Sequence, residues 1–193
     1  MEQEPKERPR LYFLLAWFHS VVQERLRYAP IGWSKMFEFG DSDFRGACSS
    51  LDYWVSAIGK GRDHVDPEEI PWKAFRTIMG ESLYGGRVDN PFDQRLLDSF
   101  LQQLFTEKAF NYEYRLLFNE DAARSVNHGD ETKSALVVPE GRTKADFEAW
   151  IDNLPENASP VWLGLPEKAE LLLLVHEGKR SVQKLLRLQD FSA

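Results

Sequence analysis

The sequence predicts a mainly α-helical bundle carrying one small β-hairpin. Three observations lead there. Apolar residues recur at three- and four-residue spacing over most of the chain, the signature of helices with one buried face. Proline, glycine, serine and asparagine punctuate those runs at positions that suit helix starts and stops. Only two short stretches, Tyr112–Phe118 and Ala135–Val138, read as strands. With 42% hydrophobic and 13% aromatic residues in 193, the chain can bury a substantial core.

The first helix is expected from about Pro9 to Tyr28. Leu11, Leu14, Leu15, Phe18, Val22 and Leu26 share a face, Glu24 and Arg27 can pair on the wet side, and His19 stands at the apolar edge. Pro30 should end it. The turn Pro30-Ile31-Gly32-Trp33 offers Trp33 as a core plug, and Phe37 and Phe39 follow on an extended segment. Gly40-Asp41-Ser42-Asp43 should stop that segment and cap a second helix, about Ser42–Ile58. Its inward face carries Phe44, Ala47, Cys48, Leu51, Trp54, Val55 and Ile58.

Gly59–Asp66 reads as a loop with an exposed His64. Asp66-Pro67 starts a helical turn, and a third helix is expected over Pro71–Ser82 with Trp72, Phe75, Ile78 and Met79 inward. It delivers the chain to Tyr84-Gly85-Gly86-Arg87, around which the rest is organised. Gly85 and Gly86 can take positive φ or admit another backbone. Asn90 can cap a fourth helix, and Pro91 suits its first position. That helix shows Phe92, Leu96, Leu97, Phe100, Leu101 and Leu104. Arg87 and Arg95 stand at its entrance, where backbone N–H groups favour an anion. They are candidate nucleotide-sensing residues; the competing reading is a structural arginine bonded to backbone or carboxylate.

Beyond it, Asn119–Lys133, which includes His128, reads as a mobile polar loop. Thr143-x-x-Asp146 predicts a capping box opening a helix with Phe147, Trp150, Ile151 and Leu154 inward. Pro155–Pro166 is irregular, docked by Pro160, Trp162 and Leu165. Leu171–Val175 fits strand or buried helix, and a last helix from Lys179 to Leu188 turns Val182, Leu185 and Leu186 inward. Three parts result: 1–118 as the helical body, 119–134 as the loop, and 135–193 as a segment whose two helices pack on that body.

A net charge of −7 argues against nucleic acid or an anionic membrane as partner. The single cysteine, Cys48, forms no disulfide within the chain and suits a reducing compartment. It sits on an apolar helix face, which reads as core and not as a nucleophile. Met1–Arg10 has no signal-peptide character, and the apolar run Leu11–Phe18 is too short to span a membrane. No Gly-x-x-x-x-Gly-Lys-Ser/Thr, His-Glu-x-x-His or Gly-x-Ser-x-Gly occurs, and the four histidines are scattered. No catalytic or metal-ligating residue is therefore assigned, and no bound cofactor is expected.

Several long strings resemble the dynein heavy chain, close to its cytoplasmic form. They are Leu11-Tyr12-Phe13-Leu14-Leu15-Ala16-Trp17-Phe18-His19 with Val21-Val22-Gln23-Glu24-Arg25, Ala29-Pro30-Ile31-Gly32-Trp33 with Phe37-Glu38-Phe39, and Tyr84-Gly85-Gly86-Arg87-Val88-Asp89-Asn90. Asn153-Leu154-Pro155 and Trp162-Leu163-Gly164-Leu165-Pro166 extend the match over about Arg10–Leu188. The resemblance implies the helical lid of the sixth AAA+ module and the start of the C-terminal region. It implies a piece that does not hydrolyse ATP, in a cytoplasmic, cytoskeletal motor whose other modules bind ATP and Mg. The implied partners are neighbouring AAA+ modules, and dynein subunits and microtubules through the parent chain. Arg87 is then expected to be mainly structural, together with Trp33, Tyr84, Gly85, Gly86, Asn90 and Pro91. The alternative is a helical protein-interaction module using a tryptophan-rich face.

Overall fold

The computed structural model describes residues 5–111, 114–116, 136–141, 143–154 and 159–190, with side chains to Arg187 in the last helix. Six α-helices lie among these residues: α1 (Arg8–Glu24), α2 (Asp41–Gly59), α3 (Trp72–Thr77), α4 (Pro91–Leu104), α5 (Lys144–Asp152) and α6 (Ala169–Asp190). The expected mainly helical class holds.

Helix α1 is the spine. Leu14, Leu15, Phe18 and Val22 are fully buried, and α2 and α4 pack against it. It tightens into a 3₁₀ turn over Arg25–Tyr28 before Pro30. The next turn seats Trp33 in the core, its indole N–H donating to the Val22 carbonyl at 2.9 Å. Phe37 and Phe39 follow, both buried, the first edge-on to Trp33 and the second tilted against it, without joining a sheet. Helix α2 starts where the Gly40 N–H donates to the Asp43 carboxylate at 2.9 Å. Two acids in its first turn suit the positive end of the helix dipole. Lys60, in the left-handed region at φ 47°, ends it.

The expected third helix divides. Regular α3 ends at Thr77 and a π turn continues over Ile78–Leu83, where the Tyr84 N–H reaches back to the Met79 carbonyl at 3.0 Å. Helix α4 starts as expected, with the Asn90 side chain accepting from the Phe92 N–H at 2.8 Å. Leu97, Phe100, Leu101 and Leu104 are buried as expected, but in the first turn Phe92 is 75% exposed and Asp93 is 6% exposed. The buried set Asp93, Leu97, Phe100, Leu101 and Leu104 lies on one face, and Phe92 lies a quarter-turn off it. Asp93 tolerates that place because its carboxylate accepts the Ser34 N–H at 3.2 Å and the Ser34 hydroxyl.

The expected hairpin reduces to one antiparallel bridge, Arg115 with Val137, flanked by Leu116 N–H to Leu136 O and Val138 N–H to Tyr114 O, both 2.9 Å. No longer strand occurs among the described residues. The expected loop at 119–134, with His128, lies outside them, as do parts of both strand stretches.

Helix α5 opens on the expected Thr143–Asp146 capping box. Phe147 stacks on Phe13 at 5.2 Å, and Trp150 meets Phe13 edge-on at 5.1 Å. Ile151 is exposed, contrary to expectation, because α5 turns its Phe147 and Trp150 face to α1 and to Val137, and Ile151 lies off that face.

The last segment departs furthest. Leu171–Val175 is neither strand nor buried helix; it belongs to a continuous α6 running from Ala169. Leu171, Leu172, Leu174, Val175, Val182, Leu185 and Leu186 are all 48–64% exposed. Only Ala169 and Leu173 touch the main core. Of the two late helices, α5 contacts the body through one face and α6 through its first turns.

Candidate functional site

The Tyr84–Pro91 segment joins three helices, and its shape follows from the π turn. That turn brings the Gly80 carbonyl so close to Gly85 that a Cβ there would lie 1.4 Å from the oxygen. Only glycine fits. Gln94 on α4 donates to the same oxygen at 2.6 Å. Neither Gly85 nor Gly86 has positive φ. Gly85 serves close approach, and a Cβ on Gly86 would meet nothing nearer than 3.8 Å.

Tyr84 is fully buried against Phe18, with ring centroids 5.0 Å apart. Its hydroxyl lies 2.8 Å from Nδ1 of His19. Burial, with the Asp43 charge adding to it, pushes the Tyr84 pKa far up, so the hydroxyl keeps its proton. Burial also lowers the His19 pKa, against the Asp41 and Asp43 charges, which raise it. Cys48 lies half-buried on α2, where burial raises its thiol pKa.

Arg87, though itself exposed, has its guanidinium on a carboxylate. Its Nε sits 3.0 Å from both carboxylate oxygens of Asp43, and Nη2 reaches Ser42 Oγ at 3.3 Å. The entrance of α4 is thereby tied to the start of α2. Arg95 instead lies exposed over the Phe92 ring, 5.9 Å from its centroid. The two candidate arginines do different things: one ties two helix starts together and the other shields an exposed ring.

A polar centre not singled out in the sequence lies behind this entrance. Arg25 is 3% exposed. Its Nε and Nη2 donate to the Gly32 carbonyl at 3.1 and 2.8 Å, and Nη1 donates to the Leu163 carbonyl. Trp33 and Phe100 rings flank the guanidinium at 5.6 and 5.1 Å. Burial lowers its pKa to about 10, partly opposed by Asp93. The signal existed in the spacing: Arg25 falls three residues after Val22 and seven after Phe18, on the buried face of α1.

Two open grooves complete the surface. A polar one of about 780 Å³ runs between α3 and α4 past Lys73, Arg76, Glu81 and Asp98. An apolar one of about 690 Å³ lies between α1 and α5 past Tyr12, Phe13, Phe147 and Ile151. Among the described residues no three His, Cys, Asp or Glu side chains converge as a metal site would require. No described helix is long and apolar enough to cross a membrane.

Residues 8–169 match the family model described as the dynein heavy chain AAA lid domain. The chain belongs to that family. The lid is 52% identical over 190 residues to a cytoplasmic dynein heavy chain of Dictyostelium discoideum, 47% over 191 residues to one of Drosophila melanogaster, and 41% over 177 residues to dynein heavy chain-like protein 1 of Plasmodium falciparum. These matches cover 98%, 98% and 88% of the lid, but 4%, 4% and 3% of the relatives. The lid thus spans a small fraction of the length of the chains it resembles. The family match ends at Ala169, where α6 begins.

Proposed function

We propose that this lid is a mechanical, non-hydrolysing part of an ATP-driven, minus-end-directed microtubule motor. In this reading it is the small subdomain of the sixth AAA+ module with the start of the C-terminal region. It acts in the cytoplasm on the cytoskeleton, with neighbouring modules of the same heavy chain as direct partners. Dynein subunits and microtubules are engaged through the parent chain, and ATP and Mg act at its other modules. The single observation that carries the reading is the Arg87–Asp43 pair. The arginine placed to sense an anion at the α4 entrance already has a carboxylate on it, and that bond fastens α4 to α2. A packed body fastened in this way passes rotation on with little internal give.

The testing experiment is calorimetry of the isolated lid with Mg·ATP and Mg·ADP, wild type beside Arg87→Ala. No saturable heat in either protein is the expected outcome. Nucleotide binding that Arg87→Ala abolishes would instead make Arg87 a sensor. Arg95→Ala serves the same purpose for the exposed arginine. The sequence preceding Met1 in the parent gene should hold tandem Walker modules.

The exposed apolar stripe of α6 favours a second reading, a helical interaction module that recruits another protein. A parent gene without Walker modules would leave that reading standing alone.

A further inference from the structure

Among the described residues, α6 packs on the body through its first turns. Ala169 is fully buried and Leu173 half-buried, and from Leu174 to Arg187 every side chain is exposed. Its packing partner is the Arg25–Tyr28 turn at the foot of α1. That turn grips the chain leading into α6. Arg25 donates to the Leu163 carbonyl, and the Gly164 that follows, in the left-handed region at φ 69°, redirects the backbone toward Leu165 and Ala169, both buried. The grip is specific, since the guanidinium is clamped between Trp33 and Phe100 and has a second acceptor in Gly32. Gly32 lies so close to this turn that a Cβ there would be 2.1 Å from the Arg25 carbonyl oxygen, so only glycine fits. Beside it, Tyr28 is buried, and burial first and then the charge of Glu170 in the first turn of α6 raise its pKa.

We propose that the Arg25–Tyr28 turn is the mount of a lever: Arg25, as a positioning residue, fixes the angle at which α6 leaves the lid. The described helix continues for about 25 Å beyond Leu173 at ~1.5 Å per residue, so a tilt of about 10° at the mount displaces Asp190 by about 4 Å. The inference deepens the coupler reading but is measured in this chain alone. Nucleotide binding by calorimetry would end that reading and leave the helix angle untouched, and the reverse also holds.

The test places spin labels at Ser56 on α2 and Lys184 on α6, both exposed, in a Cys48→Ser background, and reads the distance distribution by pulsed dipolar spectroscopy. Wild type should give a narrow distribution. Arg25→Met should roughly double its width, and Arg25→Lys should fall between. Tyr28→Phe should broaden it less. Arg10→Met removes two arginine–carbonyl bonds elsewhere, to Ala109 and Asn111, and should leave the width unchanged. A cooperatively melting Arg25→Met lid with wild-type width overturns the proposal. If Arg25→Met does not fold, an unchanged width in Arg25→Lys overturns it equally.

Discussion

Helices α1 and α6 have similar sequence periodicity and opposite fates. On α1, Leu11, Leu14, Leu15, Phe18 and Val22 reach the core, because α2, α4 and Tyr84 close over them. On α6, Leu171, Leu174, Val182 and Leu185 repeat at the same spacing and stay in solvent. The comparison teaches that periodicity specifies a helix and an apolar face, while burial depends on whether the rest of the chain supplies a facing surface. The α1 region is a finished core. The α6 region is a face presented outward.

The sharpest way to break this contrast is to truncate matching side chains in both regions. Phe18→Ala should lower stability by about 3–5 kcal/mol, the usual cost of removing a buried aromatic. Leu185→Ala should stay within about 0.5 kcal/mol, as exposed substitutions do. Urea midpoints for both variants decide it; equal losses would mean that α6 has a hidden partner in the isolated lid. Gly85→Ala comes next. Its Cβ would collide with the Gly80 carbonyl, so the π turn must open, at about 2–4 kcal/mol. Gly86→Ala meets only an ordinary contact, the Glu81 carbonyl at 3.8 Å, and should be nearly silent, which makes the pair an internal control for the same melt.

Much of this is legible in the residues because local rules carry it. The Asn90 and Thr143 caps, the Pro30 stop and the burial of Trp33 all follow from residue chemistry at one place. What escapes depends on distant contacts. Phe92 reads as core because it is aromatic. Asp93 takes the inward phase because Ser34, from a segment far away in sequence, supplies donors for its carboxylate. Arg25 escapes because an arginine on an apolar face reads as solvated, until Leu163 and Gly32 provide carbonyls for it. The π turn has no spacing signature, although Gly80 and Gly85, five residues apart, mark the close approach it makes. At the candidate site, sequence puts Arg87 at the helix entrance. Its partner Asp43 can be named only once α2 has been positioned.

Smaller effects sharpen the same contrast. Arg87→Ala should cost about 1–2 kcal/mol: the pair is half-exposed on the arginine side, and Asp43 keeps its bond from the Gly40 N–H. A double-mutant cycle with Asp43→Asn measures the coupling, and additivity would show the pair to be incidental. Gly178→Ala should act in the opposite sense. Gly178 lies in mid-helix, and a Cβ there would have nothing within 4 Å among the described residues, so alanine should stabilise α6 by up to about 1 kcal/mol. Helicity by far-ultraviolet circular dichroism should rise, with the melt of the α1 core unmoved. A fall in helicity would place a close neighbour beside this glycine.

The least of the expected effects is a pH dependence confined to the α1 side. His19 is half-buried, tilted against Phe44 and bonded to Tyr84, and burial lowers its folded pKa below the unfolded value near 6.5. The folded state thus binds this proton less readily than the unfolded state. Stability from this group is complete above the unfolded pKa and is lost as pH falls below it, toward the folded pKa. The Asp41 and Asp43 charges oppose the shift, so the slope should be shallow. His19→Gln keeps a polar partner for Tyr84 and removes the titration. Between pH 7 and 5 its urea midpoint should fall less steeply than that of wild type. A wild-type slope that His19→Gln leaves intact would assign the acid sensitivity to carboxylates elsewhere, and the His19–Tyr84 bond would then hold with the ring protonated.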